Sequence, residues 1–266
     1  MSALPDPVEL EISPEGVAVV RLNRPARRNA FDESLIATAT EIFRTLKSAD
    51  HVRFVALMGA GETFCAGADL DWMKRQGGHS QADNEADALA LAEMLKALHD
   101  LPQFTCAFVQ GAAMGGGAGL VAAADYAVAV AGATFRFSEV RLGLTPATIS
   151  PYVIEAIGVR AARGLFASAL PFDATRALAL GLVQDVVADL DALHGAFKRL
   201  SGLALENAPG AVADAKSLVV EVAGRPLDHG LMRHTAKAIA ARRASVEGQE
   251  GLAAFLAKRR PLWEPG

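Results

Sequence analysis

The 266-residue chain is predicted to fold in the α/β class, and three observations carry the prediction. Short, strongly apolar runs recur at VRFVALM (52–58), FTCAFVQ (104–110) and DYAVAVA (125–131), as expected of strands buried on both faces. Segments with apolar residues at helical spacing alternate with them. Loops with little beyond backbone, GETFCAGADL (61–70) and AMGGGAGL (113–120), follow the first two runs. Strand, loop, helix, strand in repeated order defines the α/β class.

The elements follow in order. VELEI (8–12) and GVAVVRL (16–22) alternate apolar and polar residues around Ser13-Pro14-Glu15-Gly16, which reads as a hairpin. LNRPARRNAF (22–31) breaks the alternation with a proline and a cluster of arginines. From Asp32, a good N-cap, the residues Leu35, Ile36, Ala39, Ile42, Phe43 and Leu46 fall on one helical face. A second helix fits about 83–99, ending before Pro102, and the glycine cluster opens a third, short one. Beyond about residue 150 strand signals nearly vanish. Asp173 caps ATRALAL, Gly181 ends it, Pro209 sits in the first turn of a helix through about 223, and helices fit 229–246 and 249–258. A boundary near 200 therefore divides an α/β core (1–200) from a helical region (201–266), whose apolar faces must pack on the core or on another subunit.

Composition excludes several classes. With 26 basic and 30 acidic side chains the net charge is −4, and the basic clusters are short and scattered, so no nucleic-acid partner is expected. No run approaches the ~20 apolar residues of a membrane span, and the start MSALPDPVELEI lacks a leader pattern, so a cytoplasmic protein without membrane contact is expected. Cys65 and Cys106 read as buried small hydrophobes. The six histidines lack metal-ligand spacing, and neither H-E-x-x-H nor G-x-S-x-G is present, so no metal, cofactor or covalent nucleophile is expected.

The glycine cluster raises the functional question. It is no dinucleotide fingerprint, because Leu120 stands at the third glycine position, and no Lys-Ser or Lys-Thr follows as a P-loop requires. Taken with FCAGADL (64–70), QGAAMGGGAGL (110–120), DYAVA (125–129), FSEVRLGLTP (137–146), FDATRALALGLV (172–183) and EGLAAFLAKRRP (250–261), however, it resembles the enoyl-CoA hydratase/isomerase family, the crotonases. These motifs stand in the family's order over nearly the whole chain. The resemblance implies a crotonase spiral of repeated ββα units with a helical C-terminal region, assembled as trimers or hexamers. It also implies an acyl-CoA thioester as substrate.

The chemistry of such a substrate explains the residue types. An acyl-CoA reacting beside its thioester passes through an enolate, whose oxygen is stabilised by two backbone N–H donors worth about 3 to 4 kcal/mol each. The resemblance assigns these to Ala68 and Gly116, and Gly116 also opens a helix whose dipole favours negative charge. Tight turns between strands and helices would explain either loop alone. Glu139 matches the family's proton-transferring glutamate, a role helped by partial burial, which raises a carboxyl pKa towards neutrality. The resemblance further places the CoA adenine near the backbone of Ala66 and the pantetheine and acyl chain along Ala68, Asp69, Leu70 and Asp71. Arg24, Arg28 and Lys258 or Arg259 become candidate phosphate ligands.

The chain departs from the two-glutamate hydratases, which carry the second carboxylate three residues after the oxyanion glycine, where this chain has Gly119. FCAGADLDWMKR, GGGAGLV and SEVRLGLTPATISPYVIEAIG resemble the methylglutaconyl-CoA and isohexenylglutaconyl-CoA hydratase branch, which also has a small residue there. The expectation is hydration of a branched 2-enoyl-CoA such as 3-methylglutaconyl-CoA, with Lys74, Arg75 or Arg141 meeting a distal carboxylate. A double-bond isomerase using Glu139 alone is one alternative. A non-catalytic acyl-CoA binding protein is another.

Overall fold

The structure, a computed structural model, describes residues 6–264; the first five residues of the start quoted above lie outside it. The predicted hairpin is β1 (Val8–Ile12) and β2 (Val17–Leu22), antiparallel with Leu10 opposite Val20. Helix α1 (Glu33–Lys47) starts at Asp32, whose Oδ1 accepts from the Leu35 N–H at 2.9 Å. There follow β3 (Phe54–Gly59), α2 (Leu70–Gln76), α3 (Gln81–His99), β4 (Phe104–Val109), β5 (Ala112–Met114), α4 (Gly116–Ala123), β6 (Tyr126–Val130) and β7 (Thr134–Arg136). A 3-10 turn (Glu139–Leu142) leads to α5 (Ser150–Ser168), then β8 (Phe172–Asp173), α6 (Ala174–Leu180), β9 (Asp185–Val187) and α7 (Leu190–Glu206). The chain closes with α8 (Pro209–Val222), α9 (His229–Ala244) and α10 (Val246–Leu256).

The main sheet has the order β1-β2-β3-β4-β6-β9 and is parallel from β2 onward. Its central strands are apolar on both faces because both faces are covered. Val55 and Leu57 of β3, Ala107 and Val109 of β4 and Ala127 and Ala129 of β6 face the larger core with α1, α3, α4 and α5. Their neighbours Phe54, Ala56, Cys106, Phe108 and Val128 face the other way, onto Leu193, Ala196, Leu200 and Ala204 of α7. Position 200 thus lies within the helix that seals the second face of the sheet.

A second ladder stands beside the main sheet. β5 pairs with β7 in parallel and β7 with β8 antiparallel. Two single bridges extend it, Cys65 to Ala113 and Phe31 to Ala68. The ββα repeat of the crotonase fold is therefore explicit in β4-β5-α4, and in reduced form where Cys65 stands in for the second strand between β3 and α2. Each turn of the spiral ends with a loop entering a helix at the same edge, which gathers those loops together.

Three boundaries differ from expectation. Helix α3 begins two residues early because Ser80 and Asp83 form a reciprocal capping box, Ser80 Oγ accepting from Asp83 N at 3.2 Å and Asp83 Oδ2 from Ser80 N at 3.3 Å. The predicted helices 229–246 and 249–258 are α9 and α10, divided at Ser245, which ends one and caps the other through the Gly248 N–H at 3.1 Å. Where strand signals nearly vanish, beyond 150, two short strands still form: β9 is the sixth strand of the main sheet and β8 completes the ladder. Both are too short to show a period of two.

Candidate active site

Two of the gathered loops form a shared backbone surface. The Cys65–Ala113 bridge runs them side by side, with Cys65 N–H donating to the Ala112 carbonyl at 3.0 Å and Met114 N–H to the Cys65 carbonyl at 2.9 Å. Gly67, at φ +90°, is required here, since a Cβ would lie 2.9 Å from the Met114 carbonyl oxygen. On the first loop, Phe31 N–H donates to Gly67 O and Asp69 N–H to Phe31 O, which leaves Ala68 exposed with its N–H unused among the described residues. On the second, Gly116 is the first residue of α4, so its N–H has no partner in the helix and donates to no other described group. A Cβ on Gly116 would reach to 2.5 Å from Phe31 Cε2, so the ring that pins the first loop also forbids a side chain on the second.

Glu139 opens the 3-10 turn after β7. Its carboxyl lies against Gly115: a Cβ there would be 3.0 Å from Glu139 Oε1. Oε2 is closed off from solvent and has no hydrogen-bond partner among the described residues. Burial pushes the carboxyl pKa above its usual range, while the backbone N–H groups of Glu139 and Ser138 pull weakly the other way. A half-buried carboxyl with an unpaired oxygen, beside two idle backbone N–H groups, is equipped to move a proton next to a developing oxyanion. Leu70, next to Asp69 in the chain, and Leu142 and Leu144, on and just after the Glu139 turn, are exposed.

The charged residues separate into two groups. Arg24 is turned inward: Nη2 lies 2.7 Å from Asp32 Oδ2 and 3.3 Å from Asp69 Oδ2, and Nη1 donates to the Ala30 carbonyl at 2.5 Å. Asp69, nearly fully buried, caps α2 through the N–H groups of Asp71 (2.9 Å) and Trp72 (3.2 Å). These two expected substrate ligands therefore brace the first loop. Asp71 pairs with Arg27 at 2.9 Å and with Lys74 at 3.5 Å, cations that hold its carboxyl below the usual range. Arg75 makes a two-oxygen pair with Glu33, both contacts 2.8 Å. Arg28, Lys258 and Arg141 are exposed with no ion-pair partner among the described residues, whereas Arg259 is held by Glu250 at 2.6 Å. Ala66 is anchored by its N–H to the Arg28 carbonyl at 2.9 Å.

Four positioning residues escaped the sequence reading. Asn29, fully buried at φ +56°, donates to the carbonyls of Ala60 (2.9 Å) and Thr63 (2.7 Å) and accepts from Arg24 N–H. Gln110 donates to Gly59 O at 2.7 Å and Gly61 O at 3.0 Å, holding the same loop from the other side. Phe31 and Ile149 pack against the glycines of α4. An asparagine just before the loop-pinning Phe31, able to adopt the left-handed conformation, was the one available signal. A cleft of about 290 Å³ lined by Arg53, Gln103, Pro209 and Glu247 lies elsewhere and contains none of the site residues.

Comparison with known proteins agrees with this geometry. The enoyl-CoA hydratase/isomerase family matches residues 13–266. A crystal structure of an enoyl-CoA hydratase from Shewanella pealeana superposes with a TM-score of 0.93 at 39% identity, over 97% of this chain and 96% of that one. Pseudomonas aeruginosa AtuE gives a TM-score of 0.93 at 34% identity, over 97% of this chain and 100% of that one. Among curated proteins, enoyl-CoA hydratase ACTT6 of Alternaria alternata is 32% identical over 94% of this chain and 82% of its own length. The chain belongs to the enoyl-CoA hydratase/isomerase family and is an enzyme of that family. Among the described residues no helix is long and apolar enough to cross a membrane.

Proposed function

We propose that this enzyme hydrates a 2-enoyl-CoA, with 3-methylglutaconyl-CoA or a related branched enoyl-CoA as the substrate. The observation that carries the proposal is the conjunction of two N–H groups, at Ala68 and Gly116, with a carboxyl oxygen of Glu139, all three without a hydrogen-bond partner among the described residues. Glu139 takes a proton from water as the oxygen bonds to the β carbon. The π electrons move onto the thioester oxygen, which Ala68 and Gly116 hold as an enolate. The carboxyl then returns a proton to the α carbon on the same face, and the enolate collapses to the 3-hydroxyacyl thioester. The relatives named enoyl-CoA hydratase support this reading over its rivals.

Of the cations suited to a distal carboxylate, Arg141 is exposed and unpaired among the described residues, Lys74 is loosely held, and Arg75 is committed to Glu33. Arg141 and Lys74 are accordingly the better readers of a glutaconyl carboxylate. Arg28 and Lys258 retain free charge for the CoA phosphates. Helices α8, α9 and α10 bury little against the core and expose Val220, Met232, Val246 and Phe255, which supports their use, within a 201–266 region, as the contacts of a trimer or hexamer.

One observation favours a second reading. Glu139 is the only carboxylate at the expected positions, Gly119 offering none, which suits an isomerase that shifts a proton between two carbons. Incubation with crotonyl-, methylcrotonyl- and methylglutaconyl-CoA, read by product mass, separates the two: a hydratase adds the mass of one water, an isomerase leaves the mass unchanged. Retained turnover in Glu139→Gln would sink both.

A further inference from the structure

One residue touches both of the segments that carry the N–H groups. The backbone of Phe31 forms a parallel bridge to Ala68: its N–H donates to the Gly67 carbonyl at 2.7 Å, and its carbonyl accepts from the Asp69 N–H at 2.8 Å. In a parallel bridge the residue opposite points its own N–H and C=O to the other side, so pairing through 67 and 69 turns the Ala68 N–H away from Phe31.

The ring of the same residue meets the second segment. A Cβ on Gly116 would lie 2.5 Å from Phe31 Cε2 and 3.0 Å from Cδ2, so the ring edge stands against the first residue of α4. Gly117, the next residue, has as little room against Cys65, whose carbonyl oxygen would be 2.6 Å from a Cβ there. Phe31 is 1% exposed, so it acts through these neighbours and not by touching a bound thioester.

We infer that Phe31 is a positioning residue that aims both oxyanion donors, Ala68 through its backbone and Gly116 through its ring. The inference rests on the reading of those two N–H groups as donors to an enolate oxygen. The isolated Cys65–Ala113 bridge sets the two loops in register, but a single bridge leaves one segment free to rotate about it. The ring is the wedge that stops this rotation on the Gly116 side. A plane set by two torsions is stiff, and donors stabilise a developing charge only when they are held in place beforehand.

The test uses two ligands that differ at the oxygen. Acetoacetyl-CoA ionises to an enolate and presents the charge that the donors meet, whereas butyryl-CoA presents a neutral thioester. Both are titrated calorimetrically into wild type and Phe31→Leu, with thermal melts to report folding. Leu lacks the ε carbons of closest approach and leaves the backbone bridge in place. Affinity for acetoacetyl-CoA should fall roughly tenfold, a fraction of the ~100- to 1000-fold that loss of a whole donor costs, while affinity for butyryl-CoA changes less than about twofold. On crotonyl-CoA, kcat should fall at nearly constant KM. Equal changes for the two ligands make Phe31 a packing residue alone and overturn the proposal.

Gly116→Ala approaches the contact from the other side and needs no change at Phe31. It keeps the N–H but drives a Cβ into the ring, so it should show the same selective loss, and Phe31→Leu should relieve part of it. Unchanged affinity for acetoacetyl-CoA in folded Gly116→Ala overturns the proposal even if Phe31→Leu does not fold. Wild type binding acetoacetyl-CoA no more tightly than butyryl-CoA refutes the donor reading itself. A preference that is present in wild type and survives in Phe31→Leu refutes only the assignment to Phe31.

Discussion

Arg24 and Asp69 meet at 3.3 Å behind the loop that carries Ala68, with side-chain exposures of 19% and 6%, although the sequence suggested both for the substrate. The pair joins LNRPARRNAF to the residue immediately after Ala68. Removing Asp69 therefore does two things, deleting the α2 cap and leaving Arg24 with one carboxylate, Asp32, in place of two. Asp69→Ala is expected to cost about 3 kcal/mol in urea unfolding. Asp69→Asn, which still caps, should cost less. In both, kcat should fall more than KM rises, because the Ala68 N–H is aimed by this loop. An unchanged kcat in folded Asp69→Ala would count against the brace.

Glu139→Gln should be inactive and yet more stable at neutral pH. The folded-state pKa is raised, so between the usual value near 4.5 and the raised one the native state binds more protons than the unfolded chain. Stability contributed by the neutral carboxyl is present below that window and lost as pH rises through it. Gln keeps the neutral form at every pH. The gain in melting temperature over wild type should appear at pH 7 and disappear below about 4.5.

Gly115→Ala should injure catalysis directly. The added Cβ would arrive 3.0 Å from Glu139 Oε1, and Gly115 sits at φ +49°. Displacing a catalytic group by about 1 Å can cost ~100-fold in rate. A loss of that order, without a matching change in affinity for a non-reacting acyl-CoA analogue, is expected. Calorimetric titration of the analogue checks it.

Lys216 ties the C-terminal region to the core. Its Nζ donates to Leu101 O (2.6 Å), Gln103 O (2.8 Å) and Asp125 Oδ2 (2.6 Å), and Asp125 also accepts from Thr105 N and Oγ1. Both side chains of the pair are about three-quarters or more buried. Lys216→Ala leaves Asp125 without its cation and should cost about 3 to 5 kcal/mol. Asp125→Ala should cost a similar amount. Together they should cost clearly less than the sum, the coupling being read from a double-mutant cycle of urea midpoints.

The parts legible in the sequence were those with a local cause. β3 and β4 announce themselves as unbroken apolar runs because both faces are covered, and Asp32, Asp173 and Gly181 mark helix ends through their own backbone geometry. β5, β8 and β9 are two or three residues long and owe their existence to a neighbour already in place, so no period could reveal them. α7 was missed because its partner face belongs to strands 50 or more residues away in the chain, as Phe54 and Leu193 illustrate. In the site, the glycines stood out by residue type, and Glu139 by the resemblance of FSEVRLGLTP to the family. The inward turn of Arg24 did not, because an arginine beside a loop reads the same whether its partner is a phosphate or Asp32.

The Cys65–Ala113 bridge has a consequence for how the reactive surface is specified. From Cys65 to Ala68 is a step of three residues, and from Ala113 to Gly116 is again three. Ala68 and Gly116 are therefore equivalent points on successive coils, counted from a common origin. Neither loop sets the spacing between them: the pitch of the coil does. Shortening one step by a residue would throw the two N–H groups out of phase even if every atom of the other were untouched.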